Sequence, residues 1–186
     1  MMSAAPALLR LITIIWFLLV LYSPAAAAQT VGSVTRVQNH AQIGAKTAVV
    51  GAPVQMSDAL RTGANARLQI TFRDGTLLTL GENARVVIDR YVFNPDQSTG
   101  AMALKTTTGA MRFATGRLNQ MRNKDITVST PYAALAVRGT EFWMGPIDGH
   151  HGALLLKGKV RVSNQGGAVT LSEPGQGTDI RRRRRK

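Results

Sequence analysis

The sequence contains no cysteine among its 186 residues. This absence excludes disulfide bonds, thiolate ligands for a metal and attachment of a lipid through an N-terminal cysteine. Without its two termini the chain leaves roughly 150 residues for one domain, and a domain of that size buries about 70% of the surface that its unfolded chain exposes. Packing alone must therefore hold the fold together.

Recognisable motifs of catalysis are missing as well. The three histidines, His40, His150 and His151, form no His-x-His or His-Glu-x-x-His zinc pattern. No Gly-x-Ser-x-Gly turn, P-loop or dinucleotide fingerprint occurs, and the ten acidic residues are scattered, mostly in turns. We predict a protein that is not an enzyme and that binds no cofactor or metal. An enzyme with paired carboxylates in a cleft is the alternative that a structure must test.

Long apolar runs are absent after residue 30, but the N-terminus has one. Residues 1–10 carry a single positive charge at Arg10, residues 11–22 are an apolar run of 12, and Ser23, Pro24 and four alanines follow. This order is typical of a secretory signal peptide. A helix of 12 residues spans about 18 Å, short of the ~30 Å hydrocarbon core. We predict a signal peptide at 1–28, cleaved near Ala28, and a periplasmic protein. A retained membrane anchor is the alternative.

Acidic residues are few, 10 against 23 Lys and Arg, and the formal net charge is +13. Without Arg10 and the six basic residues at the C-terminus, 16 Lys and Arg remain, so residues 29–180 carry only +6. We interpret residues 181–186 as a basic disordered tail. The functional alternative is that the tail makes peripheral contact with an anionic membrane or lipopolysaccharide through Arg181, Arg182, Arg183, Arg184, Arg185 and Lys186. We do not expect nucleic acid as a partner.

Helical periodicity is absent after residue 30, whereas short alternating runs are frequent. Residues 66–73 alternate apolar and polar side chains, as in a half-buried strand. Asp74-Gly75 follows and predicts a two-residue type I′ hairpin. Residues 63–70 resemble residues 81–88 at five of eight positions, which is consistent with stacked β units. The prediction is one all-β domain at 29–180, with many short strands arranged as a β-sandwich or a β-helix-like solenoid.

The most informative segment is residues 128–143, with a Thr130-Pro131 turn, an Ala/Val strand and Val137-Arg138-Gly139-Thr140 before the aromatic Phe142. Other segments add to it: Asp-x-Leu-x-Thr-Gly at 58–63, Asp74-Gly75-Thr at 74–76, Gly-x-Val-x-Val at 158–162 and Pro-Gly-Gln at 174–176. In this order and spacing the segments resemble the FecR-type domain over nearly all of residues 31–180. Pro131 fixes φ and holds Thr130 extended, and Gly139 permits a bulge or a close backbone approach.

Arg138 has two interpretations. It shares a strand face with Ala134 and Ala136, opposite Leu135 and Val137. We hypothesise that its guanidinium is partly buried and bridges a carboxylate such as Glu141 or backbone carbonyls, which would lock two sheets together. The alternative is an exposed arginine.

The resemblance implies an interaction role. FecR-type regulators of iron uptake join this domain to a cytoplasmic anti-sigma segment, a transmembrane helix and a part that contacts an outer-membrane transporter. In this chain the predicted signal peptide stands where the anti-sigma segment would be. We therefore expect a stand-alone periplasmic module for binding or signalling, with an envelope or membrane-sensor protein as partner. The alternative is a scaffolding protein that binds peptidoglycan, lipopolysaccharide or another anionic envelope component.

Overall fold

The computed structural model describes residues 29–180, and in that range it contains 15 β-strands and one short 3₁₀-helix. The predicted signal peptide at 1–28 and the predicted basic tail at 181–186 lie outside the described residues. Between residues 29 and 180 no helix has the length and apolar character needed to cross a bilayer. The prediction of an all-β fold is confirmed.

The strands range in length from two to 15 residues. The 3₁₀-helix, Arg117–Gln120, lies between β10 and β11. The strands are β1 Thr30–Gln38, β2 Ala41–Ile43, β3 Lys46–Thr47, β4 Pro53–Gln55, β5 Ala59–Thr62, β6 Arg67–Phe72, β7 Leu77–Leu80, β8 Arg85–Asn94, β9 Thr99–Thr108, β10 Met111–Ala114, β11 Asn123–Ser129, β12 Ala134–Ile147, β13 His150–Asn164, β14 Gly167–Leu171 and β15 Gly177–Ile180.

All 15 strands belong to one sheet, which curls into a half-barrel. The central element is β12, which pairs along one side first with β11 and then with β10, and along its other side with β13. The other side of β13 pairs with β14 near one end and with β15 near the other. Only β9 and β11 pair in parallel, and the chain between them runs through β10 and the 3₁₀-helix.

Alternation decides which side chains form the core. In β6 the side chains of Leu68, Ile70 and Phe72 are buried, whereas Arg67 is exposed, as the sequence pattern predicts. The concave side of the curled sheet is filled by such inward-facing residues from most strands. Among the largest are four aromatic side chains, which pack as the pairs Phe72–Tyr91 and Phe113–Phe142 with ring centroids 5.4 and 5.5 Å apart.

The hairpin between β6 and β7 forms as predicted, but the predicted turn type is wrong. The N–H of Phe72 donates to the carbonyl of Thr76, and the N–H of Gly75 donates to the carbonyl of Phe72, so three residues form the loop. Gly75 has a φ of 84°, whereas Asp74 is not among the residues with positive φ. This is the usual three-residue hairpin loop, in which only the last residue, here Gly75, needs the left-handed conformation.

The internal repeat corresponds to two equivalent turns that lie side by side. Asn65 and Asn83 occupy the same place in the two copies and have left-handed φ values of 54° and 51°. The N–H of Asn83 donates to the carbonyl of Gly63, and the N–H of Asn65 donates to the carboxylate of Glu82. Asparagine tolerates this conformation, which explains why the turn recurs with the same residue.

Candidate functional site

Asp74 of the Asp-Gly-Thr motif is completely buried. Its carboxylate accepts hydrogen bonds from the hydroxyl of Thr76 at 2.6 Å, the hydroxyl of Tyr91 at 3.1 Å and the backbone N–H of Leu118 at 3.2 Å. Burial, and after it the charge of Asp74, raises the pKa of the Tyr91 phenol, which therefore stays protonated and donates. These bonds join the β6–β7 hairpin to β8 and to the 3₁₀-helix. The Asp74-Gly75 turn therefore has a structural role, which is to hold these elements together.

Thr130 and Pro131 form the corner between β11 and β12. The hydroxyl of Thr130 accepts from the backbone N–H groups of Tyr132 at 2.9 Å and Ala133 at 2.8 Å. The backbone N–H of Thr130 donates to the carbonyl of Ala133, also at 2.8 Å. A hydroxyl that closes a turn in this way replaces strand pairing locally, which lets the chain reverse between two neighbouring strands.

Gly139 lies where β12 exchanges one partner strand for another. Its φ is 61°, and the register between β12 and β13 shifts at this point. Thr140 is buried, and its hydroxyl bonds to the carbonyl of Lys159, while its carbonyl accepts from the hydroxyl of Thr115 at 3.0 Å. The segment 137–140 is therefore a bulge held by hydrogen bonds. The side chains of Val137, at its start, and Phe142, just beyond its end, are buried.

The structure contradicts the latch hypothesis for Arg138. Its side chain is exposed, and Glu141 pairs instead with Arg112 of β10, whose Nε donates to the carboxylate at 2.7 Å. The reason is the bulge: β10 contacts β12 only beyond it, and there Glu141 lies opposite Ala114, with Arg112 as its diagonal neighbour. Arg138 lies at the start of the bulge segment, before the register shift, and faces outward, directly opposite Lys159.

A cleft of about 480 Å³ lies on this outward face, across β11, β12, β13 and β14. One paired row of the sheet, in the order Ala136, Arg161 and Thr170, runs across it. In this row β12 contributes only the methyl group of Ala136, beside the longer side chain of Arg161. We call this surface the basic cleft; its charged lining consists of Arg122, Lys124, Asp125, Arg138, Lys159 and Arg161.

The basic cleft has five cations and one carboxylate. That carboxylate, Asp125, pairs with Arg90 outside the cleft at 3.5 Å, and the ammonium of Lys124 donates to two backbone carbonyls of the 3₁₀-helix segment. The ion pairs found between residues 29 and 180 are Arg90–Asp125, Lys105–Asp89 and Arg112–Glu141, so none includes Arg122, Arg138, Lys159 or Arg161.

The strand register brings like charges together in the basic cleft. Arg138 and Lys159 are direct cross-strand neighbours, and Arg161 follows Lys159 on the same face. Like charges directly opposite one another destabilise a sheet. The arrangement therefore costs stability in the unbound protein, and a bound anion would remove that cost. Because the cations stand on paired strands, their backbone positions are fixed before any ligand arrives.

Sequence reasoning singled out Arg138 and missed the other cations of the cleft. Lys159 and Arg161 are the variable residues of the Gly-x-Val-x-Val motif at 158–162, which indicates only a strand. The available signal was the alternation of Lys159 and Arg161 with Val160 and Val162, which predicts that both cations face outward. Their position beside Arg138 depends on the pairing register, and the pattern of one strand does not fix that register.

The arrangement is suited to binding an anion by charge and hydrogen bonding. No set of three or more His, Asp or Glu side chains in residues 29–180 is placed to hold a metal ion. His150 bonds through Nδ1 to the carbonyl of Asp148, and the ring of His151 packs on Tyr132 with centroids 4.7 Å apart. The predicted tail residues 181–186 lie outside the described range.

Fold and site together define an all-β protein with a cation-lined cleft built on paired strands. The family model described as "FecR protein" matches residues 58–161, which is more than half of the chain. The chain belongs to the FecR family, as the sequence motifs predicted. The matched region includes all the charged residues of the basic cleft.

Two similar solved structures are crystal structures of a candidate anti-sigma factor from Parabacteroides distasonis. They share 20% and 19% sequence identity with this chain, with TM-scores of 0.48 and 0.50. Each match covers 65% of this chain and 58% of the other, so the match spans little more than half of that protein's length. The likeness concerns the fold. No curated protein sequence matches the chain significantly.

Proposed function

We propose that this chain is a periplasmic, non-enzymatic signalling module whose basic cleft binds an acidic region of an envelope or membrane-sensor protein. In this proposal residues 1–28 are a cleaved signal peptide and residues 29–180 form the binding domain. Residues 181–186 are a basic tail that adds peripheral contact with anionic lipid or lipopolysaccharide. The observation that carries the proposal is a group of three cations, Arg138, Lys159 and Arg161, which lie next to one another on paired strands. None of the three takes part in an ion pair within the described residues.

The charge of the cleft favours a particular kind of partner. Complementary charge steers association and selects against partners of the wrong sign. Arginine adds directional recognition, because its planar guanidinium binds a carboxylate through two parallel hydrogen bonds. The cleft offers Arg122, Arg138 and Arg161 for this purpose, and exposed carboxylates of a protein surface fit them.

The export proposal makes a separate prediction. The protein recovered from the periplasmic fraction should begin at Gln29, because the alanines at 25–28 provide the small residues that signal peptidase requires. Intact-mass measurement of the periplasmic protein checks this. A chain that keeps its N-terminal residues and sediments with membranes would show a retained anchor instead.

Site-specific photocrosslinking in cells tests the binding role. A photoreactive amino acid at Ala136, on the floor of the basic cleft, should capture one envelope protein in defined stoichiometry. The same amino acid at Ala64 is the matched control, because Ala64 is also an exposed alanine but lies in a turn outside the cleft. Equal capture from both positions, or none from either, contradicts the proposal. Capture of peptidoglycan or lipopolysaccharide from Ala136 alone would identify a scaffolding protein, which is the second candidate function.

A further inference from the structure

Four strands of the described sheet, β3, β4, β14 and β15, pair with only one other strand and so have an unpaired edge. Of the four, β14 has the fewest features that prevent its edge from pairing with another chain. Strand β3 has two residues, one of them Lys46, and β4 contains Pro53. Strand β15 carries Asp179. By contrast β14, with the sequence Gly-Ala-Val-Thr-Leu, has no charge, no proline and no bulge in its pairing with β13. Proteins normally protect an edge strand by one of these devices, so an unprotected edge indicates a strand that pairs with something else.

The register identifies the backbone groups at this open edge. Asn164 and Gly167 flank a two-residue turn and are paired, so they exchange both of their backbone hydrogen bonds. Alternation along an antiparallel ladder makes Val162–Val169 the next hydrogen-bonded pair. The N–H and carbonyl groups of Ala168 and Thr170 therefore point away from β13. An incoming strand would find them correctly spaced for pairing.

The two faces beside β14 differ in character. On the outward face Thr170 lines the basic cleft and is the cross-strand neighbour of Arg161, with Lys159 two residues further along β13. On the inward side Val169 is 41% exposed and lines a wide groove that is bordered by Tyr132. Because side chains alternate along a strand, an added strand would place every second side chain near the cations and the others in this groove.

The same charges disfavour a second copy of the chain as the occupant. Pairing of β14 with β14 of another molecule would place no carboxylate beside Lys159 and Arg161, because β14 has no charged residue. Residues 29–180 of each copy also carry a net charge of +6. A second copy therefore leaves these cations without a counter-charge, whereas a negatively charged strand supplies one.

We propose that β14 accepts an extended segment of a partner protein as an added strand, with acidic residues toward Arg161 and Lys159 alternating with apolar residues toward Val169. Strand addition supplies affinity through main-chain hydrogen bonds and specificity through alternate side chains. This proposal rests on the proposed function, because it specifies how the acidic region of the partner is bound.

Two synthetic peptides of equal composition test the proposal with the purified protein. One alternates five Glu and five Val, and the other has the same residues in two blocks. We expect the alternating peptide to bind about tenfold more tightly or better, since only it satisfies both faces while pairing with the edge. Binding should also slow hydrogen exchange at the amides of Ala168 and Thr170, a measurement that needs no variant.

Two substitutions at one position separate strand pairing from charge. Thr170→Pro removes the N–H at the open edge and should reduce affinity for the alternating peptide about tenfold, whereas Thr170→Ala keeps the N–H and should stay within about twofold. Thermal unfolding checks that both variants fold. Equal binding of the two peptides, or unchanged affinity of a folded Thr170→Pro protein, overturns strand addition.

The outcomes distinguish the two proposals from each other. If both peptides bind equally and salt weakens both, the basic cleft binds acidic segments without strand addition, and the proposed function stands alone. If neither peptide binds and Ala136 captures no partner in cells, both proposals fail. A concentration-dependent dimer that Thr170→Pro abolishes would assign the edge to a second copy of this chain and overturn the acidic partner.

Discussion

Replacement of Asp74 by alanine should lower the free energy of unfolding by about 3–4 kcal/mol, which for a domain of this size is a fall of about 10 °C in Tm. The side chain is 0% exposed, and its carboxylate accepts hydrogen bonds from Thr76, Tyr91 and Leu118. Alanine would leave these donors buried without an acceptor. Each unsatisfied buried donor costs about 1–3 kcal/mol, and relaxation of the structure recovers only part of the sum.

Asp96→Ala is the matched control for this experiment. Asp96 is an exposed acidic residue in the turn between β8 and β9, and no hydrogen bond or ion pair of its carboxylate occurs in the described part of the chain. Its replacement should change stability by no more than about 0.5 kcal/mol. Thermal and urea unfolding of both variants give the comparison. An Asp74→Ala protein that melts within about 2 °C of the unchanged protein would show that the network does not hold the hairpin.

Gly158→Ala should destabilise the fold by about 3 kcal/mol or more, because two effects combine. Gly158 has a φ of 85°, which costs an L-residue about 1–2 kcal/mol. A Cβ at this position would also lie 2.1 Å from the carbonyl oxygen of Gly139, where β12 and β13 both exchange partner strands. Relief of that clash requires movement of backbone in the central pair of strands.

Gly149→Ala separates the two effects. Gly149 has a similar φ of 78°, but a Cβ there would meet nothing within 4 Å. We expect it to cost about 1 kcal/mol, the conformational part alone. Urea unfolding of both variants measures the difference. Equal destabilisation by the two substitutions would mean that the close approach of Gly158 and Gly139 contributes nothing to stability.

The general fold could be predicted because alternation is a local property of the sequence. The buried positions of β6 follow directly from the pattern of residues 66–73. The shared face of Ala134, Ala136 and Arg138, opposite Leu135 and Val137, was predicted in the same way. The pattern could not show what covers a face. Arg138 was placed on the correct side of its strand, but the hypothesis that its guanidinium is partly buried and bridges Glu141 or backbone carbonyls was wrong.

The basic cleft escaped prediction for a related reason. It depends on the pairing of Arg138 with Lys159, which are separated by a hairpin, a bulge and a register shift. A register displaced by one residue would turn one of the two cations to the other face. The turn at Asp74 was mispredicted because Asp-Gly suits two loops: a two-residue type I′ turn and a three-residue loop that ends in a left-handed glycine. The local sequence does not decide between these loop lengths, and it contains no information on the bonds of Asp74 to Tyr91 and Leu118.

The central claim, that the cations of the cleft bind an acidic protein surface, is tested most directly by neutralising them while the photocrosslinker remains at Ala136. With Lys159→Gln and Arg161→Gln together, capture of the envelope partner should fall at least about tenfold, because two charge-assisted hydrogen bonds are lost. The matched pair Arg67→Gln and Arg85→Gln, exposed cations on other strands, should leave capture unchanged. Equal capture by the two double variants would contradict the account.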